Sequence, residues 1–249
     1  GVAAGLATTG IIPFVVTYAV FGSLRMGEQI RQEVCYPNLN VKIACSHGGV
    51  TPANDGASHQ SIEDMGVYRT IPNMTVMMPA DYYAAKALVK EAAKTYGPMY
   101  LRFTRDAVPV IYDENTKFEI GKAKRLTEGR DVAMIAIGDT VHLALEAQKE
   151  LEKAGISARV LDMHTLKPLD EKAVLDCVRD IGRIITVEDH NILNGLGSAV
   201  CEIAAEAGDA KVKRVGIQDQ FGMSAPYERL LEINGITVEH LVALAKQEW

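Results

Sequence analysis

The stretch Val41-Lys-Ile-Ala-Cys-Ser46 is followed directly by the loop His47-Gly-Gly-Val-Thr-Pro-Ala-Asn-Asp55-Gly-Ala-Ser-His59-Gln60. The apolar run predicts a strand buried on both faces, as in a parallel sheet. Ligands of open parallel sheets bind at the carboxyl ends of the strands. The loop holds three glycines, two histidines and a carboxylate, so its backbone can approach a ligand and its side chains can exchange protons. It is therefore the candidate site, with two alternatives: a glycine-rich surface loop, or a metal site of undefined geometry.

Strands and helices alternate on both sides of this stretch. In the first half we predict strands at Ile12–Thr17, Val41–Ser46, Thr75–Met78 and Met99–Phe103, and helices at Gly22–Val34, Gln60–Arg69 and Asp81–Thr95, with Asp81 as a cap. In the second half we predict strands at Val132–Ile137, Ser157–Leu161, Ile184–Val187 and Val212–Ile217, and helices at Val141–Lys153, Glu171–Asp180, Ser198–Ala207 and Val238–Gln247. Such alternation is typical of open, doubly wound parallel sheets.

The segment 106–130 is rich in turn residues and interrupts the alternation. We therefore predict an α/β fold with two doubly wound domains. The first covers residues 1–110, a linker covers 111–130, and the second covers 131–249.

Composition excludes several classes of protein. The chain has 249 residues and a net charge of −6, without a basic block, so nucleic acid is not an expected partner. No apolar run is long enough to span a membrane and no signal peptide is recognisable. The four cysteines form no C-x-x-C pair and lie in apolar segments, which predicts reduced thiols and a cytoplasmic location. The first residues read like the middle of a helix, so we expect sequence upstream of Gly1.

The order of several motifs resembles the transketolase family over essentially the whole chain. The loop at 47–60 matches the family pattern in which Ser/Thr-His opens the loop and Asp-Gly-x-Ser/Thr-His-Gln closes it. The other matching segments begin at Phe14, Tyr36, Ile71, Met78 and Leu101 in the first half, and at Thr186, Gly195 and Asp219 in the second. The likeness is greatest to the C-terminal subunit of split transketolases. It implies a thiamine-diphosphate-binding, pyrimidine-type domain followed by a transketolase C-terminal domain.

The resemblance assigns roles to five residues around the loop. Tyr18 and Phe21 match the cofactor-binding aromatic positions that pack against its aminopyrimidine ring. His59 matches the catalytic histidine beside the reactive centre. Asp55 matches the carboxylate that binds a sugar hydroxyl, and His47 matches a histidine near the sugar-phosphate end, with a catalytic and a substrate-binding role.

The resemblance also assigns a role to one arginine. Arg105 matches the residue that binds substrate phosphate, a group that suits the planar guanidinium. The alternatives are a surface salt bridge or a brace for the linker. Arg102 lies three positions earlier, which places it on the other face of the strand, so we leave it out of the site. A third aromatic position of the family reads Gly22-Ser-Leu-Arg25 here, where either the packing is thinner or Arg25 fills the space.

Other family features have no counterpart in this sequence. The glutamate of Gly-Ile-Ala-Glu-Gln-Asn, which bonds the pyrimidine nitrogen, would precede Gly1. The diphosphate site and its Mg²⁺ or Ca²⁺ belong to the N-terminal half. We therefore expect an N-terminal transketolase half or subunit as partner, in a homodimer or heterotetramer, and a chain that is inactive alone. The expected reaction is transfer of a two-carbon ketol unit between sugar phosphates.

Two rival functions share much of this pattern. One is a 1-deoxyxylulose-5-phosphate synthase-like enzyme, which has a similar loop; the β subunit of 2-oxo-acid dehydrogenases matches less well. The other is a non-catalytic paralogue that acts as a binding subunit. Outside the loop, we interpret His190 as a structural or interface residue, and Glu188 and Asp189 as interface or capping groups.

Overall fold

The first sheet carries the loop. The computed structural model describes residues 1–208 and 210–249. Four parallel strands, β1 (Phe14–Tyr18), β2 (Lys42–Ser46), β3 (Thr75–Met77) and β4 (Met99–Arg102), lie in the order β1-β2-β4-β3. Their carboxyl ends all face the same edge of the sheet, which is where residues 47–60 leave β2.

The second sheet has the same kind of core. The second half of the chain contains the strands β5 (Lys124–Thr127), β6 (Val132–Ala136), β7 (Ala158–Asp162), β8 (Thr165–Lys167), β9 (Arg183–Asn191) and β10 (Lys211–Ile217). Of these, β10, β9, β6 and β7 lie side by side and parallel, and β5 pairs antiparallel at the edge beside β7. In contrast, β8 adds antiparallel to β3 of the first sheet. The two sheets are thus tied together by a strand of the second half.

Helices flank both sheets. They are α1 (Val2–Ala7), α2 (Gly27–Gln29), α3 (Asp64–Thr70), α4 (Tyr82–Lys94), α5 (Val141–Lys153), α6 (Glu171–Asp180), α7 (Leu196–Ala207), α8 (Tyr227–Ile233) and α9 (Val238–Lys246). Two wide π-type turns, Phe21–Arg25 and Ile30–Cys35, enclose α2. No helix within 1–208 or 210–249 is long and apolar enough to cross a membrane.

The predicted fold class is confirmed, and so is the cap at Asp81, whose carboxylate accepts a hydrogen bond from Ala84 N at 2.8 Å. The helix predicted at Gln60–Arg69 is wrong at its start, because α3 begins at Asp64. Ser61 is engaged instead in two backbone hydrogen bonds with Gly49. Three short elements were not predicted: β5, which lies within the segment expected as a linker, β8 and α8.

One apolar cluster continues from the first sheet into the second. It contains Val76 and Tyr100 of the first sheet and Ile135 and Leu161 of the second, all buried. Burial of apolar surface is the main favourable term in folding. The two halves therefore share a core in addition to the pairing of β8 with β3.

Arg102, at the end of β4, is a fully buried charge at the contact between the two halves. Its Nε lies 3.0 Å from Asp64 Oδ2, which also accepts the Tyr100 hydroxyl. Its Nη2 donates to two carbonyl oxygens at 2.9 Å, those of Ser61 in the first half and Asp189 in the second. A buried guanidinium needs such partners, because desolvation of an unpaired charge costs several kcal/mol. Arg102 thus binds both halves at one point.

His190 is a structural residue, one of the two roles expected for it, and it lies at the contact between the two halves of the chain. Its ring is fully buried, its Nδ1 donates to the Asn191 carbonyl at 2.7 Å, and its Nε2 accepts from Gly66 N of α3 at 3.2 Å. Burial lowers the pKa of His190 to about 4. The ring is therefore neutral at pH 7, as its two backbone partners require.

Glu188 is a capping group, as expected. Its two carboxylate oxygens accept hydrogen bonds from Leu196 N and Gly197 N, at 2.7 and 2.8 Å, at the start of α7. Burial raises the pKa of Glu188 to about 7, whereas the two N–H donors lower it, as expected at a helix N-terminus. The two hydrogen bonds connect α7 to β9.

Candidate functional site

A group of four rings lies at the carboxyl end of the first sheet. Tyr18 ends β1 and Phe21 begins the following turn, and their rings are near-parallel with centroids 5.9 Å apart. The His47 ring stacks on Tyr18 with centroids 3.8 Å apart. The His59 ring meets both aromatic rings edge-on, at 5.4 Å from Phe21 and 6.1 Å from Tyr18. All four side chains are half-buried, so each keeps an accessible part.

The backbone holds His47 in an uncommon conformation. Its φ is +63°, in the left-handed region that a non-glycine residue rarely adopts. Ser46 Oγ lies 2.8 Å from His47 Nδ1, and Ser58 Oγ lies 3.0 Å from His59 Nδ1. In the described part of the chain neither Nε2 atom has a hydrogen-bond partner. Each imidazole can therefore present Nε2 to a ligand.

Arg105 and Asp55 form the charged rim of this group. Arg105 Nη1 donates to the Pro52 carbonyl at 2.8 Å and lies 3.3 Å from Asp55 Oδ2. The Arg105 backbone N–H donates to Thr51 Oγ1 at 3.3 Å. Both charged side chains are more than a third exposed, so the ion pair contributes at most about 1 kcal/mol and can rearrange around an anion.

The protonation of His47 is set by burial and by this rim. Burial lowers the pKa of His47, the Arg105 guanidinium lowers it further, and the Asp55 carboxylate raises it. The ring is therefore neutral at pH 7, and a neutral imidazole can both donate and accept a proton.

Arg25 packs against the ring of Phe21. Its guanidinium carbon lies 4.8 Å from the centroid of the Phe21 ring, a cation–π contact. Of the two expectations for this position, thinner packing or an arginine in the space, the structure has the arginine.

The second half of the chain holds the loop in place. Val50 N donates to both oxygens of the Asp189 carboxylate, at 3.1 and 3.0 Å. At the far end of the loop, Gln60 Nε2 donates to the carbonyl oxygens of Ala53 and Met223, at 3.1 and 2.9 Å. Sequence reasoning missed the anchors from the second half, apart from naming Asp189 as an interface or capping group, because Val50 and Asp189 lie 139 positions apart and Gln60 and Met223 lie 163 positions apart.

The ring group suits a flat heteroaromatic ligand at its edge or outer face. A third ring cannot lie between Tyr18 and Phe21 as they stand, because a sandwich needs about 7 Å between the outer planes, twice an atomic contact distance of about 3.5 Å. Within the described residues, no group of three or more His, Cys, Asp or Glu could hold a metal ion. The arrangement supplies aromatic surface, neutral imidazoles and a cationic rim.

Comparison with known proteins gives two family models that cover nearly the whole chain. Residues 1–110 match the transketolase pyrimidine-binding domain, and residues 121–241 match the transketolase C-terminal domain. A putative transketolase C-terminal section of Methanocaldococcus jannaschii is 44% identical, over 100% of this chain and 78% of its own length. A 6-deoxy-6-sulfo-D-fructose transketolase subunit of a Clostridium species is 40% identical, over 99% of this chain and 77% of its own length.

Among solved structures, a split-gene transketolase described as an inactive beta4 tetramer superposes with a TM-score of 0.93. It is 46% identical, and the match covers 99% of this chain and 79% of that one. Both halves of the chain thus have the same arrangement in an experimentally determined relative.

We predict that the pKa of His47 responds with opposite sign to the two rim residues. Arg105→Gln should raise it, because a nearby positive charge is removed, and Asp55→Asn should lower it, because a nearby carboxylate is removed. Proton NMR titration of the six histidines measures both shifts. Arg125→Gln, far from the loop on β5, is the control. Shifts of the same sign in the two rim variants would contradict this electrostatic arrangement.

Proposed function

Because the chain belongs to the transketolase family, we propose that it completes a thiamine-diphosphate enzyme that transfers a two-carbon ketol unit from a ketose phosphate to an aldose phosphate. It is the C-terminal part of a transketolase of the split type. We propose that an N-terminal half supplies the rest of the active site.

One observation carries this proposal. Two histidines, a carboxylate and an arginine lie together with two aromatic rings at the carboxyl edge of one sheet, so groups of different chemistry share one site. A phosphorylated sugar has a matching sequence of groups, from a carbonyl through hydroxyls to a phosphate. Within the described residues, two half-buried imidazoles without a hydrogen bond at Nε2 lie in the same group as a partly exposed guanidinium, an arrangement that a scaffold protein does not need.

The aromatic rings are proposed to hold the cofactor's flat ring. Thiamine diphosphate, when bound, supplies the nucleophilic carbon and the electron sink that cleavage of a carbon–carbon bond next to a carbonyl requires. Tyr18 and Phe21 offer ring faces and edges, and such contacts contribute roughly 0.5–1.5 kcal/mol each beyond the buried area. With Arg25 over Phe21, one part of that ring is already covered. We therefore propose that Tyr18 and Phe21 line one side of the aminopyrimidine site.

The polar residues are proposed to bind the substrate and move its protons. The His59 ring lies 5.4 Å from the Phe21 ring and has Ser58 Oγ at its Nδ1, so we propose that its Nε2 holds a proton at a sugar oxygen beside the cleaved bond. Asp55 can accept a hydrogen bond from a sugar hydroxyl. Neutral His47, stacked on Tyr18, can donate to the same sugar farther from the cleaved bond.

Arg105 is proposed to bind the substrate phosphate. Its backbone is fixed by Thr51 and its Nη1 by the Pro52 carbonyl, so the guanidinium is held at the rim before substrate arrives. A fixed fork of donors matches phosphate oxygens and loses little side-chain entropy on binding.

The partner is proposed to supply what the described residues lack. The family's domains imply the use of thiamine diphosphate, and we propose that Mg²⁺ or Ca²⁺ and the diphosphate are bound mainly by the N-terminal half. The relative described as a beta4 tetramer is labelled inactive, which fits a C-terminal half that needs its partner.

Exposed apolar residues support an oligomer. β1 is an edge strand, and Val16 on it is 73% exposed. In the elements that precede and follow β1 in the chain, Val2 is 83% and Leu24 is 54% exposed. Burial of such side chains would favour association. We propose a homodimer or a heterotetramer with the N-terminal half.

We predict that the chain transfers ketol units only after it is mixed with its N-terminal half, thiamine diphosphate and Mg²⁺. A coupled assay with a ketose phosphate and an aldose phosphate measures transfer, and the same mixture with His59→Ala is the negative control. Equal transfer by the chain alone would show that the site is complete without a partner. Absence of transfer from every ketose phosphate tested would favour a non-catalytic binding subunit.

We predict that Arg105→Ala in the reconstituted enzyme selectively weakens the binding of phosphorylated donors. Loss of a charge-assisted hydrogen bond to phosphate should cost about 1.5–3 kcal/mol, which is roughly ten- to hundred-fold. Most of the loss should appear in KM, because the phosphate is held alike in the ground and transition states. Steady-state kinetics with matched phosphorylated and unphosphorylated donors measures it, with Arg125→Ala as control. Equal losses for both donors would instead support a bracing role for Arg105.

A further inference from the structure

We propose that Asp189, on β9 of the second sheet, is a positioning residue for residues 47–60 and sets the geometry of His47, Asp55 and His59. The inference rests on the proposed function, since it concerns the same site. It gives the C-terminal domain a part in the active-site geometry beyond association.

The contact between Asp189 and the loop is direct and buried. Both carboxylate oxygens accept the Val50 N–H, at 3.1 and 3.0 Å, and Asp189 is 1% exposed. The neighbouring Gly49 has a φ of +63°, and a methyl group there would overlap the Asp189 carboxylate. Only glycine satisfies both the backbone conformation and the close approach. The backbone at Gly49 and Val50 is therefore shaped around this carboxylate.

Asp189 is itself held rigidly. Arg102 Nη2 donates to the Asp189 carbonyl and to the Ser61 carbonyl, at 2.9 Å each. Ser61 in turn exchanges two backbone hydrogen bonds with Gly49, at 2.8 and 3.0 Å. Arg102, Ser61 and Asp189 therefore enclose the base of the loop from both sheets.

The contact with Asp189 lies close in sequence to the side chains of the site and can therefore affect their positions. Gly49 lies two residues after His47, whose ring stacks on Tyr18, and Val50 lies five residues before Asp55. Residues 54, 55, 57 and 58 are exposed, so they have little packing of their own. A shift at the base of the loop therefore moves the side chains. A displacement of about 1 Å in a catalytic group can reduce the rate on the order of a hundredfold.

Two isosteric substitutions separate positioning from packing. Asp189→Asn keeps an acceptor for Val50 N–H, and burial already favours the neutral acid that asparagine imitates, since it raises the pKa of Asp189 well above its usual range. Asp189→Leu has a similar size but leaves Val50 N–H without a partner. Glu188→Gln is the matched control, because Glu188 is an equally buried neighbour that contacts α7 instead of the loop.

The test measures the ring carbon–proton NMR signals of His47 and His59 in the chain alone, followed by kinetics of the reconstituted enzyme. We expect Asp189→Leu to shift both ring signals and to lower kcat about a hundredfold in a folded protein. Asp189→Asn should stay near wild type in both measurements, and Glu188→Gln should leave both ring signals in place.

Unchanged ring signals in folded Asp189→Leu, or equal shifts in Glu188→Gln, would overturn the proposal. If Asp189→Leu does not fold, Gly49→Ala, which presses a methyl group against the same carboxylate, has to displace the same two signals. The NMR measurement needs no cofactor, so it remains informative even if the reconstituted wild type transfers no ketol unit.

Discussion

The buried guanidinium of Arg102 is the constraint on which much of the remaining structure depends. A charge without access to water has to be met by partners with fixed positions, because its desolvation costs several kcal/mol. Its partners come from the start of α3, from the residue that closes the base of the loop, and from β9 of the second sheet. Placing these groups around one side chain fixes how the two halves of the chain meet. It also fixes where the loop leaves the first sheet.

The candidate site follows from that arrangement. The first half supplies every predicted site residue: Tyr18 at the end of β1 and Phe21 in the turn after it, the loop after β2, and Arg105 after β4. Among the described residues of the second half, none belongs to the ring group, but the Asp189 carboxylate and the Met223 carbonyl hold the two ends of the loop. The chain therefore combines a surface of chemically active side chains with a scaffold that restrains them. The groups that would bind a diphosphate and a metal ion are proposed to come from another polypeptide segment.

The sequence predicted the regular elements well where they are long and buried. Both four-stranded parallel arrays and the exact range of α5 and α6 follow from apolar runs and helical periodicity. Sequence reasoning failed where contacts between residues far apart in the chain determine the local structure. The start of α3 moves to Asp64 because Ser61 pairs with Gly49, and β5 and β8 are too short to show a period. Alternation along β4 kept Arg102 out of the site but could not identify its partners, which lie up to 87 positions away. The binding roles of Tyr18, Phe21, His47, Asp55, His59 and Arg105 stay predictions.

Replacement of Arg102 tests most directly whether one buried charge joins the two halves. Urea unfolding followed by circular dichroism would compare Arg102→Met with Arg125→Met, which removes the ion pair between Arg125 of β5 and the exposed Glu128. We expect Arg102→Met to lower the free energy of unfolding by about 3–5 kcal/mol, because it removes one partner of a buried pair and leaves the buried Asp64 carboxyl without its cationic partner. The control should change it by less than about 1 kcal/mol. Equal, small losses in both variants would contradict the account, since the halves would then be joined without Arg102.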